Sequence, residues 1–120
     1  MLVLQMRDRT VKIPCVYILS NQPNGVLYIG VTSNLALRMT QHIDGSVAGF
    51  SKRYGLKHLV YYETFPTMLG AIAREKQLKE WRRAWKARLI DAFNPEWRNL
   101  FVNVTGEIAP SPANIARERC

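Results

Sequence analysis

Glu75 interrupts an apolar stripe. Ala71 and Ile72 lie four and three residues before it and Leu78 three after, so helical periodicity turns its carboxylate toward the protein. An unpartnered carboxylate there costs on the order of several kcal/mol. Two settings satisfy it: an ion pair at the edge of the stripe with Arg74, Lys79 or Arg38, or a bound Mg²⁺ with Glu75 as its single carboxylate ligand. Tyr17 and Tyr28 sit in two short runs rich in β-branched and aromatic residues. Arg38 and His42 are four apart and share one side of a helix. Each feature has an ordinary reading, as packing or as a solvated face. Together, two phenols, a guanidinium, an imidazole and one inward carboxylate are the parts that metal-assisted hydrolysis of a phosphodiester needs. Charge must be neutralised on the non-bridging oxygens, a water deprotonated and the leaving oxygen stabilised. Arg38 offers a planar fork of donors to the phosphate. Mg²⁺ on Glu75 would act as Lewis acid. A free phenol titrates at about 10, so a phenol could act as base only if Arg38, the metal or His42 made it more acidic.

Composition agrees with a polyanionic partner. The 120 residues carry 17 Lys and Arg against nine Asp and Glu, a formal charge of +8, and the pI is about 9.9. Nucleic acid fits first and an anionic membrane surface second. Hydrophobic residues make up 48% of the chain, which excludes the disordered class. No run approaches the roughly 18 apolar residues of a membrane span. Cys15 and Cys120 lie too far apart for a zinc spacing, and a reduced, cytosolic setting is expected.

The elements that must position these groups follow from periodicity. Residues 1–12 read as a loose extension, 13–105 as one folded domain and 106–120 as a flexible tail. Cys15 to Leu19 and Val26 to Gly30 read as strands joined by a turn over Asn21 to Gly25, a β-hairpin. Pairing Val16 with Ile29 and Ile18 with Leu27 gives one apolar face and sets Tyr17 opposite Tyr28. Thr32 or Ser33 can cap a helix to about Ile43, with Leu35, Met39 and Ile43 as its stripe. Leu59 to Tyr62 read as a third strand. Thr67 can cap a helix to about Glu80, and another covers Trp81 to Phe93. The order β-β-α-β-α-α predicts a small α/β domain with a three-stranded antiparallel sheet flanked by helices.

Cys15-Val16-Tyr17, followed eleven residues after Tyr17 by Tyr28-Ile29-Gly30, resembles the two tripeptides that name the GIY-YIG nuclease superfamily. Arg38 eight residues past Gly30, His42 four further on and Glu75 at the head of Glu-Lys-Gln-Leu-Lys extend the likeness. Over about 13–100 the chain is similar to the small stand-alone bacterial members and to the N-terminal incision domain of the bacterial repair excinuclease. Cys15 stands where the name has glycine. The resemblance implies a DNA endonuclease with one divalent ion, Mg²⁺ or Mn²⁺, per site. It assigns Glu75 to the metal, Arg38 to the scissile phosphate, Tyr17 and Tyr28 to the paired tyrosines, and His42 to support of the proton transfer. Asn94 matches a late asparagine near the metal. Gly30 matches a glycine that lets backbone approach the substrate.

From Arg74 to Arg88 there are seven Lys or Arg against two Glu. Arg74, Lys79 and Arg82 there, with Lys52 and Arg53 in a glycine-containing loop, are the expected phosphate contacts. Trp81 and Trp85, four apart, read as core or as a base platform. No target-choosing domain is expected beyond the nuclease-like one within these 120 residues. Specificity would then come from DNA structure, or from stacking unpaired bases on Tyr61, Tyr62 or Trp97. Single-stranded, branched or damaged DNA is therefore expected ahead of plain duplex. Two other readings stay open: an idle nucleic-acid-binding module of the same fold, and an adaptor for an acidic protein.

Overall fold

The middle strand of the sheet is buried along its whole length, which is why its sequence is almost continuously apolar rather than alternating. In the computed structural model, which describes residues 12–47, 49–102 and 105–113, that strand is β1 (Cys15–Ser20). It lies between β2 (Leu27–Thr32) and β3 (His58–Thr64), antiparallel to both. Helix α1 (Leu35–Asp44) and the short α2 (Phe50–Arg53) connect β2 to β3, and α3 (Met68–Glu80) and α4 (Arg83–Phe93) follow. A two-residue pair, β4 (Phe101–Val102) and β5 (Glu107–Ile108), closes the described fold. The three-stranded α/β architecture expected from the sequence is therefore present.

The sheet buries both faces. Cys15, Tyr17 and Leu19 pack with Leu35 and Met39 of α1, with Leu59 and Tyr62, and with Phe101 and Ile108. Val16, Ile18 and Ile29 pack on the other face with Ala71 and Leu78 of α3 and Ile90 of α4. A bulge where Ile18 meets β3 puts Val60 and Tyr61 on this second face together.

The hairpin register differs from the predicted one by two residues. Ile18 pairs with Ile29, Ser20 with Leu27, and Tyr17 with Gly30. An even offset leaves every side chain on its expected face, but Tyr28 becomes diagonal to Tyr17 rather than opposite it. Two local features select this register. Asn21 Oδ1 accepts from the Val26 amide and Gln22 O from the Gly25 amide, closing the loop beyond Ser20. Gly30 also leaves room for the Tyr17 ring, since a Cβ there would lie 2.5 Å from Tyr17 Cζ.

The first helix is capped by Asn34, one residue beyond the predicted caps. Its side chain accepts from the Leu37 amide at 3.1 Å, while Thr32 Oγ1 accepts from the Asn34 amide. Thr67 caps α3 as expected. The last helix begins at Arg83 rather than Trp81, because Trp81 and Arg82 are both extended, at ψ 149° and 150°.

The predicted loose tail is partly folded. Ile108 is fully buried, Tyr62 donates to Ala109 O at 2.7 Å, and Ser111 Oγ donates to Phe93 O. Residues 106–113 thus belong to the folded body. Residues 1–11 and 114–120, assigned to loose ends by composition, lie outside the described residues.

Candidate active site

Tyr17 points from β1 toward α1, over the bare backbone of Gly30, and is 1% exposed. Gly30 therefore makes room for a protein ring and not, as expected, for substrate. Tyr28, on the edge strand β2, is half-buried, with its ring centroid 6.2 Å from that of Tyr17. His42 comes up from α1 and meets both phenols edge-on, at 5.7 and 5.5 Å. Its Nε2 lies 2.9 Å from the Tyr17 hydroxyl and its Nδ1 3.1 Å from Ser51 Oγ on α2. His42 and Ser51 are both buried.

This setting decides protonation. Burial, then the nearby Arg38 charge, pushes the His42 pKa down to about 4, so the imidazole is neutral at physiological pH. It then has one N–H and one lone pair, matching its two partners. Tyr17 is shifted the other way from the acidic phenol expected of a base. Burial raises its pKa well above the phenol range, and the neighbouring Tyr28 adds to this, while Arg38 opposes it. Cys15 is fully buried, and burial pushes its thiol up to about 12, so it is an inert packing residue.

Arg38, one helical turn before His42, is half-buried. Among the described residues its guanidinium has no hydrogen-bond or ion-pair partner. Tyr17, Tyr28, Arg38 and His42 are therefore brought together on the α1 face.

The one side-chain bond of Glu75 among the described residues is to Lys79, outside that cluster. The helix of Glu75 packs on β1 and β2 from the opposite side of the sheet. The carboxylate is 16% exposed and accepts from Lys79 Nζ at 3.1 Å, an ion pair at the edge of the stripe. No group of three or more His, Cys, Asp or Glu side chains that could hold a metal occurs among the described residues. A lone, partly exposed carboxylate suits Mg²⁺ that keeps several waters and shares a substrate phosphate. The donor set at Glu75 fits that kind of ion and no more tightly caged one.

The remaining expected residues divide clearly. Asn94 is fully buried; its amide donates to Val60 O and Arg98 O and accepts from the Arg98 amide. It ties the end of α4 to β3, with no N–H left for a substrate. Arg74 bonds to Glu63 at 3.1 Å and lies 5.1 Å over Trp81, while Lys79 holds Glu75. Lys52 and Arg53 are exposed on α2, next to Ser51. Arg82 lies 5.7 Å over the Trp85 ring. Tyr61, Tyr62 and Trp97, expected as stacking platforms, are all buried. Their polar ends bond to Glu63, Ala109 O and Asp91.

Sequence reasoning missed Ser51 and Arg83. No spacing marks a serine in a glycine-containing loop as the partner of a histidine nine residues earlier. Arg83 donates to the carbonyls of Asn24 and Gly25, pinning the hairpin turn to α4.

A family model described as the GIY-YIG catalytic domain matches residues 13–88. The chain belongs to the GIY-YIG family. That family is one of nucleases, so the chain carries a nuclease-family domain, and its expected substrate class is nucleic acid. It is 36% identical over 67 residues to UPF0213 proteins of Staphylococcus aureus strains Mu3 and Mu50, covering 56% of this chain and 82% of each relative. It is also similar to the UPF0213 protein BH0048 of Bacillus halodurans, known from a solution NMR structure. That match has a TM-score of 0.43 and 29% identity, and covers 66% of this chain and 83% of that one. Among the described residues no helix is long and apolar enough to cross a membrane.

Proposed function

We propose that this protein is a metal-dependent DNA endonuclease that hydrolyses phosphodiester bonds and, acting as one site, nicks. The observation that carries the reading is the buried chain from Tyr17 through His42 to Ser51, set beneath a half-buried Tyr28 and beside an Arg38 with no hydrogen-bond or ion-pair partner among the described residues. Arg38 binds the scissile phosphate through its free donors. Tyr28, the more accessible phenol, faces the attacking water, and Tyr17 backs it from within.

An ionised phenol is not required. As the water attacks phosphorus, its proton passes to Tyr28 Oη, the Tyr28 proton to Tyr17 Oη, and the Tyr17 proton to the Nε2 lone pair of His42. The resulting imidazolium donates Nδ1–H to Ser51 Oγ. Arg38 depresses the basicity of His42 in the free protein. A phosphate on Arg38 offsets that charge, so substrate binding makes His42 a better proton acceptor at the moment it is needed. Mg²⁺ or Mn²⁺ held by Glu75 would supply Lewis acidity on the phosphate and stabilise the leaving oxygen. A reduced, cytosolic setting suits the free thiol of Cys15.

One observation favours the idle binding module instead: Glu75 is occupied by Lys79, across the sheet from the tyrosines. Cleavage of a substrate panel (single strand, duplex, flap, fork, junction) by wild type and Glu75→Ala, with and without EDTA, separates the two. The nuclease reading expects Mg²⁺-dependent products, most from unpaired or branched DNA, lost in the variant and in EDTA. Binding without products from any substrate would leave the idle module.

A further inference from the structure

The α3–α4 junction carries a feature that the proposed cutting chemistry does not use. Trp81 and Trp85 meet at right angles, 83° apart with centroids at 6.1 Å, and line a surface pocket with Arg88 and Leu89. Trp85 is 45% exposed, a large apolar area to leave in water at about 25 cal/mol per Å². The two rings do not share a helix face, as their spacing of four implied. The extended residues Trp81 and Arg82 turn the chain between helices, and only this turn brings both rings to one opening. Arg83 holds α4 in place through the hairpin turn.

We propose that this pocket is the binding site for an unpaired nucleobase of the substrate strand, with its phosphates on the surrounding cations. The inference rests on nucleic acid being the substrate. The indole faces offer stacking that any base can use, worth about 1–3 kcal/mol per base. Arg82 over Trp85 and Arg74 over Trp81 make the corner positive as well as aromatic. Arg88 adds a donor on the wall of the pocket, at i+3 from Trp85, with Leu89 at i+4 on the same helix face. An open aromatic corner with guanidinium groups beside it matches a planar ligand attached to an anionic backbone. A base inside a duplex cannot enter it, so the pocket selects single-stranded or extruded nucleotides. Trp81 lies six residues beyond Glu75, about 9 Å along the helix at 1.5 Å per residue. A strand that meets a metal held by Glu75 therefore has a nucleotide within reach of the pocket.

The test is a binding titration in EDTA, followed by intrinsic tryptophan fluorescence, with a ten-residue oligothymidylate, a ten-base-pair duplex and dextran sulfate as probes. Oligothymidylate should quench the indole emission, and the duplex and dextran sulfate should leave it nearly unchanged. Trp85→Ala should weaken oligothymidylate binding about tenfold, with duplex affinity held within about twofold, and Trp85→Phe should restore most of the loss. Trp85→Leu keeps apolar bulk without a stacking face, and should match Trp85→Ala even if the smaller residue harms folding. Equal quenching by dextran sulfate, equal loss on both nucleic acids, or no loss at all would overturn the proposal. Cleavage is not read in this experiment, so an inactive protein can pass it and an active nuclease can fail it.

Discussion

The two faces of the sheet hold their functional groups by different physics. On the α1 face, Tyr17, His42 and Ser51 are buried and joined by hydrogen bonds of 2.9 and 3.1 Å. On the α3–α4 face, Glu75, Arg74 and the tryptophans are held near the surface by one ion pair each or by cation–π contact. A buried network has one geometry, because any loosened group loses water as well as its partner. A surface pair of the Lys79–Glu75 kind contributes at most about 1 kcal/mol, and salt weakens it. Under the proposed function, the α1 face would hold the proton path and the α3–α4 face would exchange partners with metal and nucleic acid.

The sharpest way to break this contrast is to remove one group from each face. Glu75→Ala should lower cleavage by about a thousandfold, roughly 4 kcal/mol of barrier, while DNA affinity stays within about twofold. Tyr28→Phe should cost about a hundredfold or more, and Tyr17→Phe less, since Tyr28 and not Tyr17 faces the attacking water. Single-turnover nicking rates beside filter binding measure all three. Near-native cutting by both tyrosine variants would end the proton relay.

Gly30→Ala asks how rigid the buried face is. A methyl group 2.5 Å from Tyr17 Cζ must displace the ring. A loss of about 1–3 kcal/mol in stability is expected by urea unfolding, together with the Tyr17–His42 bond and most of the activity. Full activity would mean that the ring position does not matter.

Protonation of His42 separates the faces again. Its pKa is lowered from 6.5 to about 4 on folding, so the unfolded chain binds the extra proton first. The stabilisation is complete above pH 6.5 and is lost as pH falls toward about 4. At about 1.4 kcal/mol per pH unit, the window holds about 3 kcal/mol at most. Urea midpoints between pH 7.5 and 4 should fall for wild type and stay flatter for His42→Gln. Equal slopes would show that His42 is not buried neutral.

The smallest effects belong to the partners of partners. Ser51→Ala should slow cutting about tenfold and shift the pH profile, with KM unchanged. Arg74→Ala, which removes a partly exposed bridge to Glu63, should change stability by about 1 kcal/mol or less at low salt and less still at high salt.

Much of the fold was legible because it rests on local patterns. β-Branched runs, the Asn21-to-Gly25 turn and Thr67 at the head of α3 each act over a few residues. The register was misread because faces alone cannot distinguish offsets of two. Gly30 beneath Tyr17 and the Asn21 side chain decide it. The tail was misread because Ala109 and Ser111 find partners at Tyr62 and Phe93, 47 and 18 residues away in sequence. At the site, Tyr17, Tyr28, Arg38 and His42 stood out through the family resemblance, whereas Ser51 carried no signal.

By itself, the sequence determined the order of elements, the positive charge, the family tripeptides and the residue types of the chemistry. These depend on composition and on spacings within one strand or helix. Only the tertiary structure decided that His42 is neutral, that Tyr17 is buried beneath a more accessible Tyr28, and that the helix bearing Glu75 packs on the opposite face of the sheet. It also decided that Asn94 is a structural tie and that Trp85 is exposed and Trp81 half-buried, while Tyr61, Tyr62 and Trp97 are buried. Burial and long-range partners set protonation and exposure, and neither is a property of any short stretch of chain.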